Sequence, residues 1–124
     1  MIIVDSCGWV EYFADSDRAD LFRSAIEGSA PLLVPTICIL EVTKILLRER
    51  SAEIALQCVA GMRIGRVVPL DEELATQAAM LAITHRMPTA DSIVLATAQR
   101  FGATVWTQDA DFDGKPGVRF FKKP

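Results

Sequence analysis

Short apolar runs alternate with longer segments of helical period along the whole chain. Met1 to Val4 is a continuous apolar run of the kind a fully buried strand shows, and Asp5-Ser6 then caps a helix to about Ala14. Residues 16 to 27 carry Leu21, Phe22, Ala25 and Ile26 at helical spacing and stop at Gly28, a residue that commonly ends helices. Pro31 to Val34 reads as a second strand. Pro35 and Thr36 open a long amphipathic helix to about Arg50, with Ile37, Leu40, Glu41, Lys44 and Ile45 sharing one side, which puts Glu41 on or beside an apolar face. A helix from Ser51 to about Met62 leads to a strand from Arg66 to Leu70. Asp71-Glu72-Glu73 begins the next helix, where acids suit the N-terminal dipole and are expected to be structural. Pro88 and Thr89 start another, with Thr89 as its N-cap and Asp91, Val94, Leu95 and Ala98 at helical spacing until Gly102. Ala103 to Trp106 then reads as a strand, Thr107 to Phe112 as a loop or helical turn leaving it, and Val118 to Phe121 as a last strand.

Strand and helix alternate without internal repeat, linker or low-complexity run, which predicts a three-layer α/β/α sandwich on a central, mainly parallel sheet of four to five strands. With 124 residues the chain is long enough to bury an ordinary core, and residues 1–124 are expected to form one domain. Hydrophobic residues make up 51% and mean hydropathy is +0.28, which implies apolar surface reserved for a partner and hence an oligomer. The apolar stretch Leu32 to Leu40 is interrupted by Pro35 and stopped by Glu41, far short of the roughly 20 residues of a membrane span. Met1 to Val4 meets Asp5 at once, with no basic flank or signal-length apolar segment, so a cytoplasmic location is expected. Cys7, Cys38 and Cys58 form no CxxC spacing and read as reduced core thiols. His85 is the only histidine, which argues against a His-based zinc site or a Cys/His nucleophile.

Four acids change the picture from a fold to a chemistry. Asp5, Glu41, Asp91 and Asp109 each fall where a strand ends or inside the helix that follows, and ligands of open parallel sheets bind outside the carboxyl ends of the strands. Taken singly, Asp5 reads as a helix cap, Asp91 as a dipole-favoured acid in a first turn and Asp109 as an Asx-turn residue. Glu41 amid Ile37, Leu40 and Ile45 is costly to bury without compensation, for which Lys44 is one candidate. Together the four describe converging carboxylates, which repel one another unless a cation joins them. Hard oxygen donors without histidine or thiolate favour Mg²⁺ or Mn²⁺, and such ions hydrolyse phosphodiesters. The net charge of −3 does not oppose an anionic polymer, because setting aside these four acids and Asp111 leaves 13 basic against 11 acidic residues. Lys44, Arg48, Arg50, Arg63, Arg66 and Arg86 are then either phosphate contacts or solvated helix faces. Trp9, Tyr12 and Phe13, at i, i+3 and i+4, read as a packing stripe for the core or a dimer contact before a base-stacking platform.

The motifs around these acids resemble a known family over nearly the whole chain. Ile2-Ile-Val-Asp5-Ser-Cys-Gly-Trp9-Val-Glu-Tyr12-Phe, Pro35-Thr-Ile-Cys-Ile-Leu-Glu41-Val, Pro88-Thr-Ala-Asp91-Ser-Ile-Val-Leu-Ala-Thr-Ala98 and Thr104-Val-Trp-Thr107-Gln-Asp109-Ala-Asp111-Phe112 are similar to the acid-bearing segments of PIN-domain ribonucleases, specifically the small VapC-type toxins of VapBC toxin–antitoxin pairs. Departures are Trp106, where smaller residues are more usual, and a short segment between the second and third acids. On this reading Asp5 and Asp91 are metal ligands, Asp109 is a ligand directly or through water, and Glu41 is a ligand or a water-orienting base. Ser6 and Thr107 supply supporting hydroxyls. Asp111 is either an outer participant or a loop cap. The resemblance implies RNA cleavage leaving a 5′ phosphate and a 3′ hydroxyl. It also implies a homodimer or a higher toxin–antitoxin assembly, and a cognate antitoxin whose tail lies over the active groove.

Rival readings come from other classes. A receiver-like phosphoacceptor domain needs an acidic pair after its first strand and a lysine after its last pocket strand, where this chain has Asp5-Ser6-Cys7 and Trp106-Thr107-Gln108. A haloacid-dehalogenase-type phosphatase needs a second Asp where Cys7 stands. A catalytically silent PIN-fold binding module would not require the full acid set.

Overall fold

Ile3, Val4, Leu33 and Val34 are all buried although neighbours along a strand point to opposite faces, so the central strands must be covered on both sides. The computed structural model, which describes residues 1–124, meets that demand with a five-stranded sheet and six helices. The strands are β1 (Ile2–Val4), β2 (Leu32–Pro35), β3 (Arg66–Val68), β4 (Thr104–Thr107) and β5 (Val118–Phe120). Their order is β3-β2-β1-β4-β5 and every pairing is parallel. The helices are α1 (Ser6–Ala14), α2 (Ala19–Glu27), α3 (Thr36–Glu49), α4 (Ala52–Met62), α5 (Glu72–His85) and α6 (Thr89–Phe101), with a 3₁₀ turn at Ala110–Phe112. The expected α/β/α sandwich is thus observed, with the sheet parallel throughout.

The connections from β1 to β2 to β3 step one way across the sheet, and the return to β4 steps back past β1. Between β1 and β4 lies the point where the strand order reverses, where such sheets bind ligands. Asp5 follows β1 and Thr107 ends β4, so both flank that point.

Strand ends differ from the sequence expectation by a residue or two, for local reasons. β3 stops at Val68 instead of Leu70 because Pro69 has no N–H to continue the ladder, and Leu70 N donates to Thr36 Oγ1 at 3.2 Å. The helix expected from residue 16 begins at Ala19. Thr89 is the first helical residue of α6, not its N-cap; the capping position belongs to Pro88, and Thr89 O instead accepts from Ser92 Oγ at 2.6 Å. The largest correction concerns α3. Its buried stripe is Cys38, Val42 and Leu46, whereas Leu40 is exposed and Ile37 and Ile45 are half-buried. Both stripes have helical spacing, and the sheet selected the other one.

Gly8 shows how tightly α1 seats on the core. A methyl group there would lie 2.6 Å from Phe22 Cδ1 and 2.7 Å from Val4 Cγ1, two side chains that are fully buried. Gly8→Ala is therefore expected to destabilise the protein by about 1–3 kcal/mol through overpacking, read as a lower midpoint in urea. An unchanged midpoint would show that the helix can shift at no cost. The neighbouring aromatic stripe is core, as its spacing suggested: Trp9 is buried, stacks on Phe13 and meets Tyr12 edge-on.

Candidate active site

Each acid is delivered by a different unit to the same edge of the sheet. Asp5 is the N-cap of α1, with Oδ1 accepting from Ser6 N at 2.8 Å, so its carboxylate is turned back over the end of β1. Asp91 sits in the first turn of α6 on a stretch from Asp91 to Ala98 that is buried throughout. Asp109 caps the 3₁₀ turn, with Oδ1 accepting from Asp111 N at 2.9 Å, and the buried Phe112 anchors that turn in the core. One carboxylate oxygen from each of Asp5, Asp91 and Asp109 lies within 4.8 Å of the others. That spacing is compact enough for one cation to touch all three. Helix N-termini behind Asp5 and Asp91 favour negative charge here.

Glu41 and Asp111 lie near this trio without joining it. Glu41 stands in the second turn of α3, half-buried, with Oε1 buried and without a hydrogen-bond partner. Asp111 is exposed; its N–H donates to the capping Asp109 carboxylate, and its charge still reaches Asp91. The expected pairing of Glu41 with Lys44 is not an ion pair. None of Asp5, Glu41, Asp91 and Asp109 forms one.

The electrostatic consequence is large. Burial first, then the charges of Asp109, Asp5, Asp111 and Glu41, pushes the Asp91 carboxyl up to about 8. Burial also raises Asp5, against the relief of the Ser6 N–H and the Thr107 hydroxyl, and raises Glu41 with help from the Asp5 charge. The Ser6 side chain eases Glu41 only in part. No lysine or arginine pairs with these acids, and an all-oxygen donor set with an unpartnered buried Glu41 oxygen fits a hard divalent ion.

Thr107, at the end of β4, reaches two of the acids. Its Oγ1 donates to Asp5 Oδ2 at 3.0 Å and accepts from Asp109 N at 3.0 Å, so one buried hydroxyl sets the relative position of two acids. Two neighbours of the acids, Cys7 and Gln108, were not foreseen from the sequence. Cys7 is not a core thiol: its Sγ lies 3.6 Å from Asp5 Oδ2 and 3.4 Å from Thr107 Oγ1, and burial with the Asp5 charge pushes it up to about 12, which keeps it a neutral donor. Gln108 is buried behind Asp109 between Arg18 and Glu11, its Nε2 donating to Glu11 Oε2 at 3.0 Å and its Oε1 accepting from Arg18 Nε. The partners are about 90 or more residues apart, so only the second residue after Asp5 and the one before Asp109 were available as signals.

Comparison with known proteins bears on the fold and the family. No curated protein matches the chain by sequence. Among solved structures, it is similar to the sarcin-ricin loop cleaving toxin VapC20 of Mycobacterium tuberculosis, at TM-score 0.81 and 20% identity over 95% of this chain and 97% of that one. A toxin–antitoxin complex from Klebsiella pneumoniae gives TM-score 0.78 at 20% identity, covering 96% of each chain. DNA-bound VapBC from Salmonella typhimurium gives 0.72 at 18%, covering 97% of this chain and 96% of that one. These likenesses establish the fold. The family model described as PIN domain matches residues 2–117, and with the fold and acid-lined edge already in place, the chain belongs to the PIN domain family.

Proposed function

We propose that the chain is a metal-dependent endoribonuclease acting as the toxin of a toxin–antitoxin pair. One observation carries this reading: three carboxylates within 4.8 Å, two of them buried and the third half-buried, none in an ion pair, at the strand-order reversal of a PIN fold. The toxins among its structural neighbours, one of them described as a sarcin-ricin loop cleaving toxin, support the biological role.

Asp5, Asp91 and Asp109 are the residues that would hold Mg²⁺ or Mn²⁺. Such an ion supplies neutralisation of phosphate charge and a more acidic water for in-line attack on phosphorus. The chain's own groups do the rest. Glu41, half-buried with a raised carboxyl and an unpartnered oxygen, serves as ligand or as the base that orients the attacking water and takes its proton. Thr107 holds Asp5 and the turn of Asp109 in register, and the Ser6 N–H fixes the other Asp5 oxygen. Asp111 holds the turn through its backbone N–H.

Exposed Leu40 and Leu47 on α3, Leu56 on α4, and Met80 and Ile83 on α5 provide the apolar surface expected of a chain that meets a second copy and a VapB-type antitoxin. No helix is long and apolar enough to cross a membrane, and the proposed setting is the cytoplasm, where the RNA is.

Induced expression in a bacterial host tests the role. The native chain is expected to arrest growth, and Asp5→Ala, made to an equal level and folded, is expected to leave growth unaffected. Equal arrest by both would remove metal catalysis as the cause.

A further inference from the structure

Beside Asp109 opens a cavity of about 540 Å³ whose second wall the acid cluster does not explain. From the acid side it is lined by Cys7, Asp109 and Asp113; from β5 and the residues after it come Phe120, Lys122 and Lys123. Phe120 is singular in this chain. Of the nine aromatic residues, eight belong to the core or pack against it, and Phe120 does not, although it is half-buried. The parallel register pairs it with Thr107, so its ring leaves the sheet on the same face as the hydroxyl that holds Asp5. On the opposite face Arg119 covers Trp106, 4.2 Å from guanidinium carbon to ring centroid, so the aromatic surface there is already used.

The two lysines are equally unspent. Every ion pair in the protein uses an arginine, which leaves Lys122 and Lys123 with free ammonium groups. Their backbone is nonetheless held. Arg18 Nη2 donates to Phe121 O at 3.1 Å and Lys122 O at 3.4 Å, and Phe121 N donates to Thr107 O at 2.8 Å. Arg18 also binds Gln108, so the lysine segment and the turn bearing Asp109 share one anchor. An unpartnered ring and two unpaired cations are thereby fixed beside carboxylates that a metal would neutralise. Aromatic faces stack on unpaired bases without regard to sequence, and lysines contact the flanking phosphates.

We propose that Phe120, Lys122 and Lys123 form a nucleotide seat: the Phe120 ring stacks on one unpaired base of the RNA strand, and the two lysines take the phosphates next to it. The inference rests on the nuclease reading above. It makes the seat a positioning element that selects unpaired RNA over duplex, since a base within a duplex offers its face to its neighbours.

The test is fluorescence anisotropy with a labelled single-stranded RNA of mixed sequence and with the matching duplex, Ca²⁺ replacing the catalytic ion so that the strand survives. Phe120→Ala is expected to weaken single-strand binding about tenfold, with little effect on the duplex, and Phe120→Trp to restore it. Lys122→Gln with Lys123→Gln is expected to reduce the slope of log affinity against log salt by about 1.4, from two phosphate contacts to a single strand. Circular dichroism checks that each variant is folded. RNA binding with unchanged affinity and salt slope in these variants overturns the seat and leaves the nuclease reading standing. Failure of the native protein to bind either RNA overturns both.

Discussion

Asp91→Asn is expected to raise the melting temperature of the metal-free protein at pH 8 by several degrees. The Asp91 carboxyl is raised from an ordinary 3.8 to about 8, so between those values the folded chain holds a proton that the unfolded chain has released. Stability then falls as pH rises, because the folded state is the one binding more protons. The contribution is complete below about pH 4 and is lost as pH climbs through about 8. Asp5 and Glu41, also raised, act in the same direction. Asp71, lowered by the Leu74 N–H and Arg100, acts below its ordinary value of 3.8 and so outside this window. Asparagine keeps the shape and removes the charge, for a gain of about 2 kcal/mol after allowing for solvent near the cluster. Thermal melts in EDTA from pH 5 to pH 8 check this: the native protein should lose stability across the range and Asp91→Asn should lose less. A native protein that becomes more stable towards pH 8 without metal would show that the acids are not in conflict.

The second large effect is on metal affinity. Isothermal titration of Mn²⁺ into Asp5→Asn is expected to show binding weakened at least about a hundredfold, since loss of even a supporting contact to a metal ligand costs 10–100-fold. Asp111→Asn should change affinity by less than about threefold, because its side chain is exposed, lies outside the close trio, and contributes to Asp109 through a backbone N–H that asparagine retains. Equal losses in both variants would mean that the ion is held by the general negative field and not by the trio.

Much of this was legible in the chain itself, for a physical reason. Strand and helix periods are local, and so are the caps that put Asp5 and Asp109 at strand ends; once the sheet is parallel, those ends share one edge. What could not be read depends on which of two equally periodic faces meets the sheet. α3 has apolar residues nearly all round, and Cys38, Val42 and Leu46 were buried in preference to Leu40 by packing distant in sequence. Cys7 looked like a core thiol because its site partner Thr107 is 100 residues away. Gln108 gave no sign that Arg18 and Glu11 would enclose it. Phe120 became distinctive only after the other eight aromatic residues had been placed.

The proposed activity is RNA cleavage that depends on a divalent ion held by Asp5, Asp91 and Asp109. Its most direct test is incubation of purified protein with end-labelled total RNA in Mg²⁺, in Mn²⁺ and in EDTA, beside Asp5→Ala and Asp91→Ala. Discrete fragments bearing 5′ phosphates are expected, formed only with metal and only by the native chain. Intact RNA after exposure to the folded, metal-loaded native protein, or the same fragments from both variants, would contradict it.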